Sequence, residues 1–134
     1  MAGMMRPLDE ARAARARGTE RFKAGDVDGA HGEYLRAVAV VRETRGLWQR
    51  QDARELLLPC LSNLAMCCVK TERFREAAEH GAAAVALGSA CRLAPGIAAK
   101  AALRAAQAAR ALGDATRARR FVCTARRSSA WRAS

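Results

Sequence analysis

The chain has few aromatic residues, few acids, three lysines and a single asparagine. Two tryptophans, one tyrosine and three phenylalanines make up 4% of 134 residues. RNA readers generally add aromatic stacking platforms, and here the few aromatics are mostly needed for packing. Thirteen acidic residues against 24 basic ones leave a formal net charge of +11, so the surface suits anionic partners: acidic peptide, nucleic acid or membrane. Scarce lysine beside plentiful arginine is also what GC-rich coding produces, so the position of a charge informs more than the total. No apolar run approaches the length of a membrane span. No glycine-rich phosphate loop, nucleophile elbow or paired-carboxylate motif occurs, and nothing in the sequence supports enzymatic activity. The five cysteines (Cys60, Cys67, Cys68, Cys91 and Cys123) are odd in number and lack Cys-x-x-Cys spacing. They read as small buried hydrophobes in a reducing, cytoplasmic setting. No Cys/His pair falls at ligand spacing, so neither a metal site nor a cofactor is expected.

What the chain does have is alanine, about a quarter of all residues. Alanine and arginine favour helix and disfavour strand. With few large side chains, the helices must pack closely through alanine and glycine faces. Pro7 suits a first helical position, and Asp9 and Glu10 suit the positive end of the helix dipole. These acids and the lack of serine mark the arginine-rich N-terminus as structure rather than a transit peptide. Helices are expected over about 8–23, 28–44, 53–70, 74–86 (extending toward Cys91), 97–112 and 115–127. Pro59 should kink the third or mark its true start, and the stretch 93–96 should be a stop. The polar stretch 45–52 reads as a connection between units, with Trp48 packing on neighbouring helices. Met1–Arg6 should be loose, and 128–134 a short tail.

Overlaying the three hairpins exposes a repeat. Gly18, Ala65 and Ala106 align as small residues of the first helices. Ala30, Ala77 and Ala118 align early in the second helices, and Ala37, Ala84 and Ala125 two turns later. Gly25-Asp26 and Gly113-Asp114 hold equivalent breaks. Such self-similarity marks a stacked helical solenoid. The gaps between units exceed the basic repeat by about a dozen and about seven residues, read as longer loops or helix extensions.

The skeleton resembles the tetratricopeptide repeat family over nearly the whole chain. Gly18-Thr-Glu-Arg-Phe-Lys-Ala-Gly-Asp26, followed by Ala30, Tyr34 and Ala37, is a good first repeat. Asn63-Leu-Ala-Met-Cys67 with Lys70 resembles the second repeat of co-chaperone immunophilins, and Lys100-Ala-Ala-Leu-Arg104 with Leu112-Gly-Asp114 their third. The resemblance implies an all-α fold in which three tandem TPR hairpins, about 8–44, 53–91 and 97–127, form one domain and a right-handed superhelical solenoid. It implies a non-catalytic adaptor whose concave groove clamps the two carboxylates of a terminal aspartate, on heat-shock chaperones ending in Glu-Glu-Val-Asp. Matched positions are Arg15, Thr19, Asn63, Lys100 and Arg104. Arg15 keeps the family's charge. Thr19 stands where the family has asparagine, and its short hydroxyl should reach a carboxylate poorly. Arg15/Thr19 and Lys100/Arg104 are each four apart, so each pair shares one helix face. Fixed cations and amide donors answer carboxylates with charge-assisted bonds.

Two other readings use the same surface: a repeat scaffold for another protein, and, less favoured, RNA or anionic-surface binding through the arginine excess. His31 and His80 fall on second helices, away from the groove, as surface or packing residues. No length remains for the family's capping helix, so the uncovered end is open to self-association or to a partner.

Overall fold

Pro7 opens the first helix of the computed structural model, whose described residues are 5–128. Helices α1 (Pro7–Lys23) and α2 (Val27–Glu43) form one hairpin, α3 (Gln51–Lys70) and α4 (Phe74–Cys91) a second, α5 (Pro95–Ala111) and α6 (Ala115–Ser128) a third. Each helix packs on its hairpin partner, α3 also lies against α2, and α5 against both α3 and α4. The result is an all-α helical solenoid, with no strand among the described residues. None of its helices is long and apolar enough to cross a membrane. The tail expected over 128–134 and the loose start over 1–6 fall mostly outside the described residues.

One expectation about proline is narrowed and one is corrected. Pro59 does not mark the start of α3: the helix begins at Gln51 and carries Pro59 in its interior. Pro95 is not part of a stop but sits in the first turn of α5, where a missing N–H interrupts no helical bond. The connection is not wholly polar either. It contains a 3-10 turn, Leu47–Gln49, that buries Leu47. Trp48 lines a groove with Leu61, Ala83 and Leu87 yet stays 39% exposed.

The hairpin turns share one backbone path with different residues. Gly25 and Gly113 take φ of 86° and 82°, a left-handed conformation that costs glycine nothing. Each is followed by an aspartate that caps the next helix. Asp26 accepts from the Gly29 N–H at 2.8 Å and Asp114 from the Arg117 N–H at 3.0 Å. In the second hairpin Glu72 adopts φ 59° and Arg73 replaces the capping acid, with no side-chain cap. The turn is repeated by topology even where its chemistry is lost.

The repeat positions read from the sequence are the packing positions. Ala30, Ala77, Ala118, Ala37, Ala84 and Ala125 are all buried, as are Gly18, Ala65 and Ala106. Leucines 56, 57, 58, 61 and 64 of α3 supply the apolar bulk at the centre of the stack. At α4–α5 the helices meet on glycine. A Cβ at Gly81 would stand 2.6 Å from the Ala105 Cβ and 2.8 Å from the Ala101 carbonyl oxygen. At α1–α2 the contact is of another kind, with the Tyr34 ring seated on Gly18.

This geometry gives two alanine substitutions opposite signs. Gly81→Ala should destabilise by about 1–3 kcal/mol, because the rigid Ala105 Cβ and the Ala101 carbonyl, not a yielding side chain, block the methyl. Gly32→Ala, mid-helix with nothing within 4 Å of an added Cβ, should stabilise by about 0.5–1 kcal/mol. Urea denaturation of the two variants checks both directions.

Candidate functional site

Helices α1, α3 and α5 are the first members of their hairpins, and the five residues matched to the carboxylate clamp all lie on them. The i, i+4 spacing puts Arg15 and Thr19 on one face of α1, where both line a groove against the start of α3. This groove, about 630 Å³, is walled on α1 also by Arg12, Ala16 and Glu20, and on α3 by Asp52, Glu55 and Leu56. Asn63 is half-buried two turns beyond Leu56, on the same side of α3. Lys100 is exposed on α5 and Arg104 half-buried one turn later.

Arg104 joins two of the helices. Its Nη1 donates to the Ser62 carbonyl at 2.7 Å and to the Ser62 Oγ at 2.8 Å, across the α5–α3 contact and next to Asn63. Burial lowers its pKa from the ordinary guanidinium value, with the nearby Cys67 acting the other way. A guanidinium nevertheless stays charged at neutral pH. Among the described residues no carboxylate pairs with Arg104, and Arg15, Asn63 and Lys100 make no side-chain hydrogen bond or ion pair. Other α1 arginines are neutralised: Arg17 and Arg21 meet Glu33 at 3.1 and 3.5 Å, and Arg12 meets Asp9 at 3.5 Å.

Thr19 is already engaged. Its Oγ1 lies 3.0 Å from the Tyr34 hydroxyl, and burial pushes the Tyr34 pKa up from its ordinary value. The structure thus joins Arg15 with Thr19 in one groove and ties Arg104 to Ser62, the residue before Asn63. Asn63, Lys100 and Arg104 do not line the α1–α3 groove.

Sequence reasoning passed over the groove's acids, Glu20, Asp52 and Glu55. Asp52 and Glu55 lie where the insertion between repeats has become helix: α3 has 20 residues, against 17 in α1 and in α5. The signal available was Asp52 itself, an acid placed to begin a helix.

Of the cysteines, Cys60, Cys67 and Cys68 are fully buried, and burial pushes their thiols up to about 12, 11 and 12. Cys91 is half-buried and Cys123 exposed, so the expectation of five buried hydrophobes holds for three. All five are free. His31 is buried on α2 and His80 half-buried on α4; burial lowers the pKa of both.

No protein-family model matches the chain, and no curated protein does. Among solved structures, the chain is similar to the N-terminal domain of stress-induced protein-1 (STI-1) from C. elegans. The TM-score is 0.73 at 21% identity, covering 93% of this chain and 88% of that one. The fold is that of a tetratricopeptide-repeat domain.

The Thr19–Tyr34 contact should be measurable as a coupling. A double-mutant cycle of Thr19→Val and Tyr34→Phe, read by urea denaturation, should give about 0.5–1.5 kcal/mol. Additive losses would mean that the two hydroxyls do not bond.

Proposed function

We propose that the chain is a non-catalytic protein-interaction module that binds acidic C-terminal peptides, with a terminal aspartate as its anchor. Arg104 carries this reading. It is a half-buried cation with no carboxylate partner among the described residues, held by two serine oxygens beside the chain's only asparagine. A partly desolvated charge without a counter-ion is costly, and an arriving carboxylate offsets that cost. Lys100, one turn earlier, adds a second, solvent-facing cation. In this proposal Arg15 and Asn63 receive the main-chain carboxylate, while Lys100 and Arg104 receive the aspartate side chain. Thr19, turned to Tyr34, contributes little. Ligands of this kind include the Glu-Glu-Val-Asp ends of heat-shock chaperones, and a cytoplasmic adaptor of the co-chaperone type is the corresponding role. The fold's likeness to the stress-induced protein-1 domain supports the choice of module.

A second reading, a scaffold for another protein, draws on the acids of the α1–α3 groove. Glu20, Asp52 and Glu55 line it beside Arg12 and Arg15, a mixed field that repels glutamates upstream of a terminal aspartate and favours a ligand with a basic residue there.

The test is titration with labelled peptides ending in Glu-Glu-Val-Asp, free and amidated. Each charge-assisted bond is worth about 1.5–3 kcal/mol, so Lys100→Ala or Arg104→Ala should weaken the free peptide roughly tenfold or more. Amidation should cost at least as much. Equal binding of free and amidated peptide contradicts the clamp. Tighter binding when a lysine replaces the upstream glutamates favours the scaffold reading. RNA binding far tighter than peptide at physiological salt would favour the nucleic-acid alternative.

A further inference from the structure

Three metal-ligating residue types converge where α2, α3 and α4 meet. His31 of α2 is buried, Cys68 of α3 is completely buried, and Glu76 of α4 is half exposed, so the corner is open to solvent on one side. Glu76 Oε2 lies 3.6 Å from His31 Nε2, and Cys68 Sγ donates to the same oxygen at 3.9 Å. One ligand atom from each residue falls within 4.8 Å of the other two. Tetrahedral zinc, with bonds of about 2.0–2.3 Å, sets neighbouring ligand atoms roughly 3.5 Å apart. Two edges of such a tetrahedron are therefore nearly at length before any ion enters.

We propose that His31, Cys68 and Glu76 form a binding site for a divalent cation of the zinc class, with water in the fourth position. Imidazole, thiolate and carboxylate together suit a borderline-soft ion better than calcium or magnesium, which want oxygen alone. The thiolate and the carboxylate balance the two positive charges of the ion. The proton that Cys68 now shares with Glu76 leaves to solvent as the ion takes its place.

Arg73 acts as the competitor. Its Nη1 lies 3.0 and 3.3 Å from the two His31 ring nitrogens, and it can occupy this place because it stands where the other two hairpins have a capping aspartate. It is not locked there: Arg73 is exposed and its Nη2 is also 3.5 Å from Asp28. Withdrawal toward Asp28 uncovers the imidazole. Because the three ligands come from three helices, an ion would tie the first hairpin to the second.

The experiment uses the full chain, purified without a metal-binding tag, titrated with Co²⁺ as a spectroscopic probe and with Zn²⁺ in thermal melts. The expected result is one equivalent of tetrahedral Co²⁺ with a thiolate-to-cobalt charge-transfer band, displaced by Zn²⁺. Cys68→Ser should abolish the band although four other cysteines remain. Glu76→Gln, a half-exposed and structurally mild change, should weaken Co²⁺ roughly tenfold or more. Arg73→Gln should tighten it several-fold. Zn²⁺ should raise the melting temperature of the wild type and not of Glu76→Gln. No charge-transfer band in the wild type, a band that survives Cys68→Ser, or equal Zn²⁺ stabilisation of wild type and Glu76→Gln would overturn the site. The cluster would then be a polar contact between helices and nothing more.

Discussion

The approach of α4 to α5 at Gly81 is the contact on which the far half of the stack depends. A chain with so few aromatic residues cannot hold its helices together with large interlocking side chains. Each alanine removes little apolar area from water, so dispersion has to come from short distances between many small groups. Gly81 against Ala101 and Ala105, and Gly88 against Ala98, bring two helices to that range. The near half is built differently. There the leucines of α3 and the single tyrosine carry the bulk, with Gly18 serving as the seat for the Tyr34 ring. Two packing modes therefore meet on α3, which faces leucine-rich contacts toward α2 and alanine-rich contacts toward α5.

The character of the groove follows from this arrangement. From the alanine-rich α5, the Arg104 guanidinium reaches α3 at Ser62. The extended start of α3 brings Asp52 and Glu55 alongside Arg12 and Arg15. One end of the inner surface is consequently mixed in charge. The other, at Asn63, Lys100 and Arg104, offers donors without acids among the described ion pairs. If a chain terminus binds there as proposed, that asymmetry would give it a preferred end.

Features set by neighbours in sequence were legible in advance. The glycine–aspartate turns, the small residues at helix crossings and the alanine positions of each second helix all depend on spacing of a few residues, and spacing is what a sequence displays. The role of Pro59 in the third helix was left open between a kink and a later start. Proline inside a helix is disfavoured locally, and only burial of the leucines around Pro59 carries α3 across it. Contacts between distant residues left no local trace. The hydroxyl pair of Thr19 and Tyr34, the reach of Arg104 to Ser62, and the meeting of His31, Cys68 and Glu76 depend on side-chain directions across separate helices. A search for metal spacing along one segment misses ligands contributed by three. The five residues matched to the clamp could be placed on the first helices through the repeat, while their contacts could not: Thr19 meets Tyr34 and Arg104 meets Ser62.

The proposed reception of a terminal carboxylate by the faces of α1, α3 and α5 can be followed residue by residue. Its most direct test is an amide NMR titration of the isotope-labelled chain with a short peptide ending in free aspartate, following the Asn63 side-chain amide. This amide is expected to shift most, together with backbone amides around Arg15, Lys100 and Arg104, while the outer faces of α2, α4 and α6 stay still. Shifts confined to α2, α4 or α6, with the Asn63 amide unmoved at saturation, would contradict it.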